Sequence, residues 1–536
     1  MYLVRHWNPL GHILAALSFC GLVVGCGDER ISADRLSADR PPVLESVVEP
    51  LRGHSPALAM AEQKNSKVAP AADKAVKARE VVFKDWPKPQ VVLVVTGRQN
   101  GYLEPCGCTG LANQKGGLAR RHTLLLQLEK QGWPVVPLDV GNQVQRSGQQ
   151  AEIKFQIAIE ALKKMRYKAI GLGPDDLRLS TGDLVAAVTD APSPFVGVNA
   201  AIIDPEYTPA LQIVSAGGKK IGVTAVLGAE HQKKINSDEI VLSPPADKIK
   251  AVLPELKNAK CDLYVLLAHA SLDESRQLAK QFPDFQIVVT AGGADEPPFE
   301  PEIVANTKTL LVQVGAKGMY VGVIGVFADA ARPFRYQRVP LDDRYADSRD
   351  MLQLMKNYQG ELEAAGLEGL GVKPLAHPSG RKFVGSEKCG DCHTKSFEVW
   401  QKTPHAQATE SLVHPGERTE IPRHHDPECL SCHVTGWEPQ KFFPLQTGYL
   451  GLKTSPLLHG SGCENCHGPG SAHVAAETEG QADEAKLAKL RQELRLPLAK
   501  AEQKCVECHD LNNSPAFHKD GAFEKYWKQV EHVGKD

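Results

Sequence analysis

The stretch that decides the fold of the C-terminal third is Cys389-Gly-Asp-Cys392-His393. Its Cys-x-x-Cys-His pattern returns as Cys429-Leu-Ser-Cys432-His433, Cys463-Glu-Asn-Cys466-His467 and Cys505-Val-Glu-Cys508-His509. This pattern is the attachment signal for a c-type haem, because two thiols bond to the porphyrin and the adjacent His ligates its iron. Zinc sites and disulfides would explain paired Cys residues, but not a His after every second Cys. The sequence therefore predicts four covalent c-type haems, with the four motif His residues as proximal ligands.

Histidines are concentrated in the same region, since residues 377–536 hold 13 of the 19 in the chain. Two His ligands give a closed, six-coordinate haem suited to electron transfer, whereas a haem with one His can bind a small molecule. Besides the proximal residues, the candidates for the opposite face of an iron are His377, His405, His414, His424, His425, His459, His473, His518 and His532.

Residues 383–532 resemble the tetrahaem cytochrome c family of nitrifier-type electron carriers. The likeness rests on Trp400-Gln-Lys-Thr-Pro-His405, Cys432-His433-Val-Thr-Gly-Trp437, Cys463-Glu-Asn-Cys-His-Gly-Pro-Gly-Ser-Ala-His473 and Tyr526-Trp-Lys-Gln-Val-Glu-His532. The resemblance implies a mostly helical, loop-rich domain in which His405, His473 and His532 are distal ligands. For the second haem it leaves open His424 or His425 as the distal ligand, or a five-coordinate iron.

The N-terminus has the pattern of a targeting segment. Arg5 and His6 precede an apolar run at residues 13–24 that is too short for a comfortable membrane span. The run ends in Val23-Val-Gly-Cys26, which resembles a lipoprotein cleavage site and would make Cys26 the lipid-bearing first residue of the mature chain. An ordinary signal peptide or an uncleaved anchor is the alternative. We therefore expect residues 1–26 to export the chain to the periplasm or cell envelope, anchored to the membrane by lipid.

Residues 27–88 show no sustained apolar period, and we expect a flexible linker there. From 89 to 342 short β-branched runs alternate with amphipathic segments, which predicts an α/β domain whose strands are covered by helices. Such folds carry their sites on loops at the carboxyl ends of strands. A charged, amphipathic stretch then predicts a helical connector at 343–380, followed by the haem domain at 381–536.

The α/β domain resembles the metal-dependent phosphatase domain of the 5′-nucleotidase family, a sandwich of two sheets between helices. The likeness rests on the order of Gly116-Gly-Leu-Ala-Arg-Arg121, Leu138-Asp-Val-Gly141, Leu266-Leu-Ala-His269 and Val312-Gln-Val-Gly-Ala-Lys-Gly318. The family's metal- and phosphate-binding positions are occupied here by Arg98, Asn100, Asn142, Pro174-Asp175 and Gly292-Gly-Ala-Asp295. Only His269 stays as a plausible metal ligand. Two hard cations need several carboxylates and imidazoles, so we expect the phosphoesterase reaction to be lost.

A different motif, Glu104-Pro-Cys106-Gly-Cys108, follows the first strand. Cys-x-Cys can hold a soft metal or form a reducible disulfide, and the cations nearby in sequence lower a thiol pKa. The segment resembles a nucleotidase-like protein group in which some members carry selenocysteine, which implies redox chemistry. The alternative is a structural disulfide or two spectator thiols. Cys106 and Cys108 are therefore the candidate catalytic residues, with an additional bound metal between them as a further candidate.

A net charge of -2 and a pI near 6.8 give no case for nucleic-acid binding. We expect an exported tetrahaem c-type cytochrome that exchanges electrons with other cytochromes or with a respiratory complex. If the protein is an enzyme, we expect a haem-dependent oxidoreductase that uses the Cys106/Cys108 loop. The alternatives are a metal-dependent phosphoesterase or nucleotidase with an appended cytochrome, and a non-catalytic docking module of a respiratory complex.

Overall fold

The computed structural model describes residues 81–105, 114–416, 419–478 and 483–532. The strands of its first part are β1 (Val91–Thr96), β2 (Val135–Asp139), β3 (Ala169–Ile170), β4 (Ala200–Ile202), β5 (Gln212–Ala216), β6 (Lys219–Leu227), β7 (Ile240–Leu242), β8 (Leu263–His269), β9 (Ile287–Thr290), β10 (Glu302–Ile303), β11 (Leu310–Gln313), β12 (Tyr320–Val326) and β13 (Phe334–Pro340). One sheet has the order β13-β12-β1-β2-β3, and the other has the order β10-β11-β9-β8-β6-β5. In the five-stranded sheet β1, β2 and β3 run parallel, and β12 and β13 pair antiparallel at the other side. In the six-stranded sheet β11, β9, β8 and β6 run parallel, and an antiparallel strand closes each edge.

Side chains alternate between two cores along the central strands. In β1, Val91, Leu93 and Val95 enter the core between the two sheets, whereas Val92 and Val94 enter the core under the helices. Because successive strand residues point to opposite faces and both faces are covered, the strand is apolar without interruption.

The helices of this part are α1 (Leu118–Lys130), α2 (Gln149–Lys164), α3 (Thr181–Thr189), α4 (Ala229–Gln232), α5 (Pro245–Asn258), α6 (Leu272–Gln281) and α7 (Arg349–Gly369). Helices α1, α2 and α7 cover the outer face of the five-stranded sheet. Helices α5 and α6 cover the outer face of the six-stranded sheet. The result is a helix–sheet–sheet–helix sandwich, which confirms the predicted α/β class. We call β1 to α7 the α/β part.

Helix α7 lies in the stretch predicted to be a connector, and it packs into the sandwich. Leu354, Tyr358 and Leu362 are buried in the same core as α1 and α2. Gly366, with φ of 60°, interrupts the helix near its end. Arg79–Asp536 forms one compact unit, so α7 belongs to the body of the protein.

Residues 381–532, which we call the C-terminal part, consist of short helices and loops. The helices are α8 (Ser386–Gly390), α9 (Thr394–Gln401), α10 (Ala408–Val413), α11 (Pro427–His433), α12 (Cys463–His467), α13 (Ser471–Thr478), α14 (Glu484–Glu493), α15 (Leu498–Cys505) and α16 (Ala522–Val530), with a small hairpin of β14 (Trp437–Glu438) and β15 (Phe443–Pro444). Its buried apolar cluster is small: Leu412, Leu430, Val434, Trp437, Tyr449 and Leu458. The mostly helical, loop-rich fold predicted for this part is confirmed.

Among the residues that the structure describes, no helix combines the length and the apolar character that a membrane crossing requires. The predicted targeting segment with Cys26, nearly all of the predicted linker, and the loop with Cys106 and Cys108 lie outside the described residues. The export, anchoring and loop assignments therefore stay predictions.

Candidate functional site

The Cys-x-x-Cys-His motifs lie on or at the ends of short helices. Helix α11 contains the second motif, α12 is the third motif, and α8 and α15 carry the first Cys of the other two. A helical turn places residues three and four apart on one face, so both thiols and the His point the same way. In α11 the helix start is fixed by Pro427 in the first turn and by Asp426, whose carboxylate accepts a hydrogen bond from Glu428 N.

The motifs meet in two pairs. The thiols of Cys389 and Cys463 are hydrogen-bonded, which brings the first motif to the third. Cys432 and Cys508 are hydrogen-bonded in the same way, which brings the second motif to the fourth. The hydrogen bond with Cys463, together with burial, raises the pKa of the Cys389 thiol. All eight motif thiols are free of disulfides in the structure.

Three proximal imidazoles each face one of the predicted distal imidazoles. The ring centroids are 6.3 Å apart for His393 and His473, 6.1 Å for His509 and His405, and 5.8 Å for His467 and His532. An imidazole nitrogen lies about 2 Å from a bound metal ion, so two rings on opposite sides of one metal have centroids roughly 6 Å apart. The three centroid distances match that spacing.

Backbone carbonyls orient several of these rings. Nδ1 of His467 donates to Leu494 O at 2.7 Å, and Nδ1 of His532 donates to Val530 O at 2.8 Å. Nδ1 of His433 donates to Ala408 O at 2.8 Å. A donor bond from Nδ1 fixes the tautomer that leaves Nε2 for a metal, and it makes that nitrogen a better ligand.

Burial favours the neutral form of five of the motif and candidate histidines. It lowers the pKa of His405, His433, His467 and His473, and together with the neighbouring His405 it lowers the pKa of His509 to about 4. Metal ligation requires the neutral imidazole, so this environment suits a ligand.

The second motif differs from the others. Within the described part of the chain, no ring contact joins His433 to another imidazole. His424, its predicted partner, packs against His425 with ring centroids 4.1 Å apart, and His425 Nε2 lies 3.6 Å from Glu363. Ligation of the second iron by His424 stays a prediction.

In the α/β part, the loops at the carboxyl ends of β1, β2 and β3 are held by an amide network. Asn142 Nδ2 donates to Asn100 Oδ1 at 2.9 Å, to Val144 O at 3.0 Å and to Asp175 Oδ2 at 3.0 Å. Its Oδ1 accepts from Asp175 N at 3.1 Å. Both ends of the Asn142 side chain are therefore occupied by protein groups.

Two buried carboxylates, Asp139 and Asp176, accept hydrogen bonds from the backbone of these loops. Asp139 accepts from Gly141 N and Gln143 Nε2, both at 2.8 Å, and from the Thr96 hydroxyl. Asp176 accepts from the backbone N–H groups of residues 142, 143, 144 and 173. Burial raises the pKa of Asp139, and it raises that of Asp176 to about 7. Both carboxyl groups are used in holding the loops.

His269 lies at the end of β8, where Nδ1 donates to Val140 O at 2.9 Å. Burial lowers its pKa to about 3. His231 packs against it with ring centroids 5.1 Å apart, a neighbour for which the sequence offers no signal. Arg98, which follows β1, forms an ion pair with Asp295 at 2.8 Å.

This set does not fit a two-metal centre. Asn142 and Arg98 present donor groups, and the carboxylates of Asp139 and Asp176 are taken up by hydrogen bonds. Within the described ranges, no three His, Cys, Asp or Glu side chains are grouped so that they could hold a metal ion.

Residues on either side of the Cys106/Cys108 loop form ion pairs or hydrogen bonds with other parts of the protein. Glu104, just before the loop, pairs with Arg423, which lies just ahead of the second motif. The cations that lie nearby in sequence each have a protein partner: Arg98 bonds Asp295, Lys115 bonds Tyr320, Arg120 bonds Gln114 O and Arg121 bonds Gln99.

Comparison with known proteins finds relatives of both the α/β part and the C-terminal part. The sequence model of the family "Cytochrome c554 and c-prime" matches residues 388–468. Cytochrome c-554 of Nitrosomonas europaea is 33% identical over 146 residues, which cover 24% of this chain and 57% of that protein. An apyrase of Tabanus yao is 24% identical over 328 residues, which cover 54% of this chain and 56% of the apyrase. The chain thus spans little more than half the length of these relatives.

Among solved structures, a 5′-nucleotidase precursor from Thermus thermophilus is similar with a TM-score of 0.44 and 18% identity, covering 60% of this chain and 66% of that one. The C-terminal part is thus similar to cytochrome c-554, and the α/β part to apyrases and 5′-nucleotidases. The family match supports c-type haem attachment and a role in electron transfer.

The paired imidazoles generate a first prediction. In the holoprotein, His473→Ala should leave the first haem with His393 alone, so one additional haem per chain should become high-spin and bind carbon monoxide. Absorption spectra with and without carbon monoxide measure this. His414→Ala is the matched control, because His414 is exposed and pairs with Glu410 on its own helix. An unchanged carbon monoxide stoichiometry in His473→Ala would contradict the pairing.

His269 generates a prediction about pH. Its pKa is lowered in the folded state, so its contribution to stability is complete above about pH 6.5 and is lost as the pH falls toward 3. His269→Asn keeps a donor for Val140 O but cannot titrate. The variant should therefore lose less stability between pH 7 and pH 4, by roughly 3 kcal/mol. Urea unfolding followed by circular dichroism measures the difference, with His414→Asn as control; parallel pH profiles for all three proteins would contradict it.

Proposed function

We propose that this protein is an exported tetrahaem c-type cytochrome that passes electrons between partner proteins and a site in its α/β part. The observation that carries the proposal is the pairing of three proximal imidazoles with three others across gaps of 5.8 to 6.3 Å. A bound haem supplies one-electron redox chemistry and, where its sixth position is open, a site for a small ligand.

Three of the haems are closed by two His ligands, and the second haem is five-coordinate. Support for the difference comes from His433, whose ring is oriented by Ala408 O but is in contact with no other described imidazole. The closed haems serve electron transfer alone, whereas the second haem is the place for ligand chemistry.

The small apolar cluster of the C-terminal part supports covalent haem as a structural element. Six buried apolar residues around Leu430 and Trp437 are few for a segment of this length. Because small domains need metals, cofactors or disulfides to complete their cores, porphyrins between the paired motifs would supply the missing apolar contacts.

The pattern that ends in Cys26 supports export and a lipid anchor, and covalent haem attachment outside the cytoplasm fits that route. An anchored multihaem protein exchanges electrons with other cytochromes or with a membrane respiratory complex. Its partners are therefore redox proteins at the same membrane surface.

The Cys106/Cys108 loop is the proposed site of substrate oxidation or reduction. Its support is the ion pair of Glu104 with Arg423, which ties the residue before the loop to the segment before the second motif. The α/β part has the sandwich that carries sites on such loops, while its amide network does not fit the two-metal reaction.

Haem stoichiometry tests the proposal directly. The mature protein should contain four haems by pyridine haemochrome assay and intact mass, and carbon monoxide should bind one of them. The double variant Cys429→Ala/Cys432→Ala should lose one haem and the carbon monoxide response. Its matched control, Cys389→Ala/Cys392→Ala, should lose one haem and keep the response. A colourless protein, or one that holds zinc, would overturn the proposal.

The role of the loop has its own test. Cys106→Ser should leave the haem spectrum and haem content unchanged and should abolish turnover, followed as substrate-dependent reduction or reoxidation of the haems. Cys261→Ser, which makes the same atomic change elsewhere in the α/β part, should keep full turnover. Unchanged turnover in Cys106→Ser would remove the loop from the mechanism.

A further inference from the structure

A group of charged side chains, of which Asp426 and Lys154 are buried, joins the α/β part to the helix of the second motif. Glu428 directly precedes Cys429 on the chain, Asp426 lies three residues before it, and Lys154 of α2 contacts Glu428. Three ion pairs join the α/β part to residues 423–428: Arg423 with Glu104, and Glu428 with both Arg146 and Lys154. The His425 ring adds a contact with Glu363 at 3.6 Å. The two parts are thus coupled electrostatically at the second of the four motifs.

Glu428 has a cation at each oxygen. Lys154 Nζ lies 2.6 Å from Oε2, and the Lys154 side chain is only 8% exposed. Arg146 Nη1 lies 2.8 Å from Oε1, and its guanidinium stacks 3.7 Å from the ring of Phe442. Burial alone would lower the pKa of Lys154, but Glu428 and Asp426 raise it above its ordinary value. Lys154 therefore carries its charge at neutral pH.

Asp426 completes the group. Its Oδ1 accepts from Gln150 Nε2 at 2.7 Å and from Glu428 N at 2.9 Å, so it also caps α11. Its Oδ2 accepts from the Tyr358 hydroxyl at 3.2 Å, which adds a contact from α7. The start of the motif helix is therefore held by side chains from two helices of the α/β part.

A buried charge next to a haem changes its reduction potential, because reduction adds an electron and a nearby cation stabilises the reduced form. The carboxylates before Cys429 have the opposite effect. Lys154 and Arg146 of the α/β part offset them, and Lys154 does so from a buried position, where a charge acts more strongly than in water.

We propose that Lys154, assisted by Arg146, sets the reduction potential of the second haem by neutralising the carboxylates that precede Cys429. Lys154 is a positioning residue in this role, since it acts through Glu428 and touches no substrate. The inference rests on the proposed attachment of a haem at the second motif. It gives the α/β part a function that does not depend on chemistry in its own loops.

The test is a potentiometric titration of the holoprotein, with the second haem identified as the component that Cys429→Ala/Cys432→Ala removes. In Lys154→Met the ratio of reduced to oxidised second haem, measured at the wild-type midpoint, should fall roughly tenfold, which corresponds to about 59 mV for one electron. The other three components should stay in place. Lys164→Met is the matched control, because Lys164 lies on the same helix, is exposed and pairs with Glu160 of that helix.

Two further variants separate charge from packing. Lys154→Arg should keep the wild-type potential, and Lys154→Met/Glu428→Gln should restore it, because the lost cation and the lost anion cancel. If Lys154→Met does not load haem, Arg146→Met should lower the same component, since Arg146 is half-exposed and its removal leaves less of a gap. An unchanged second component in a fully loaded Lys154→Met or Arg146→Met protein would overturn the inference. A wild-type protein without a haem at the second motif would instead overturn the proposed function.

Discussion

The C-terminal part depends on one constraint: three motif imidazoles each lie opposite another imidazole, with ring centroids 5.8 to 6.3 Å apart. Helical turns bring thiols and proximal His residues to one face, and carbonyls such as Leu494 O orient the rings. The rings that face them come from distant segments: His405 precedes α10, His473 lies in α13 and His532 follows α16. Each pair of facing rings therefore joins two segments that are far apart in the sequence. Much of the arrangement of these short helices follows from that pairing, because the apolar cluster is too small to impose it.

The loops at the carboxyl ends of β1, β2 and β3 are fixed by hydrogen bonds between protein groups. The two sheets, the two cores and the loop positions are those of a sandwich that presents groups at the carboxyl ends of its strands. An amide at Asn142 ties three loops together, and the buried Asp139 and Asp176 accept hydrogen bonds from the backbone next to it.

The sequence predicted the features that depend on residues lying close together in the chain. The four motifs, the α/β alternation and the distal candidates His405, His473 and His532 followed from pattern and resemblance. The sequence did not predict which distal His faces which motif, because that pairing depends on how short helices pack. Nor did it predict the cluster of Lys154, Asp426 and Glu428. Isolated charges on two amphipathic helices look like solvent-exposed residues until the partner surface is known.

The scarcity of apolar packing around Leu430 and Trp437 bears on how the protein is made. A polypeptide segment that lacks a sufficient core of its own stays open until porphyrin is joined to it, and an open segment is what a haem-attaching enzyme needs in order to reach each thiol. The sandwich, whose cores are complete, can fold first. Maturation would then proceed from the amino-terminal side, and chains made without haem would carry an unfolded C-terminal part open to proteolysis.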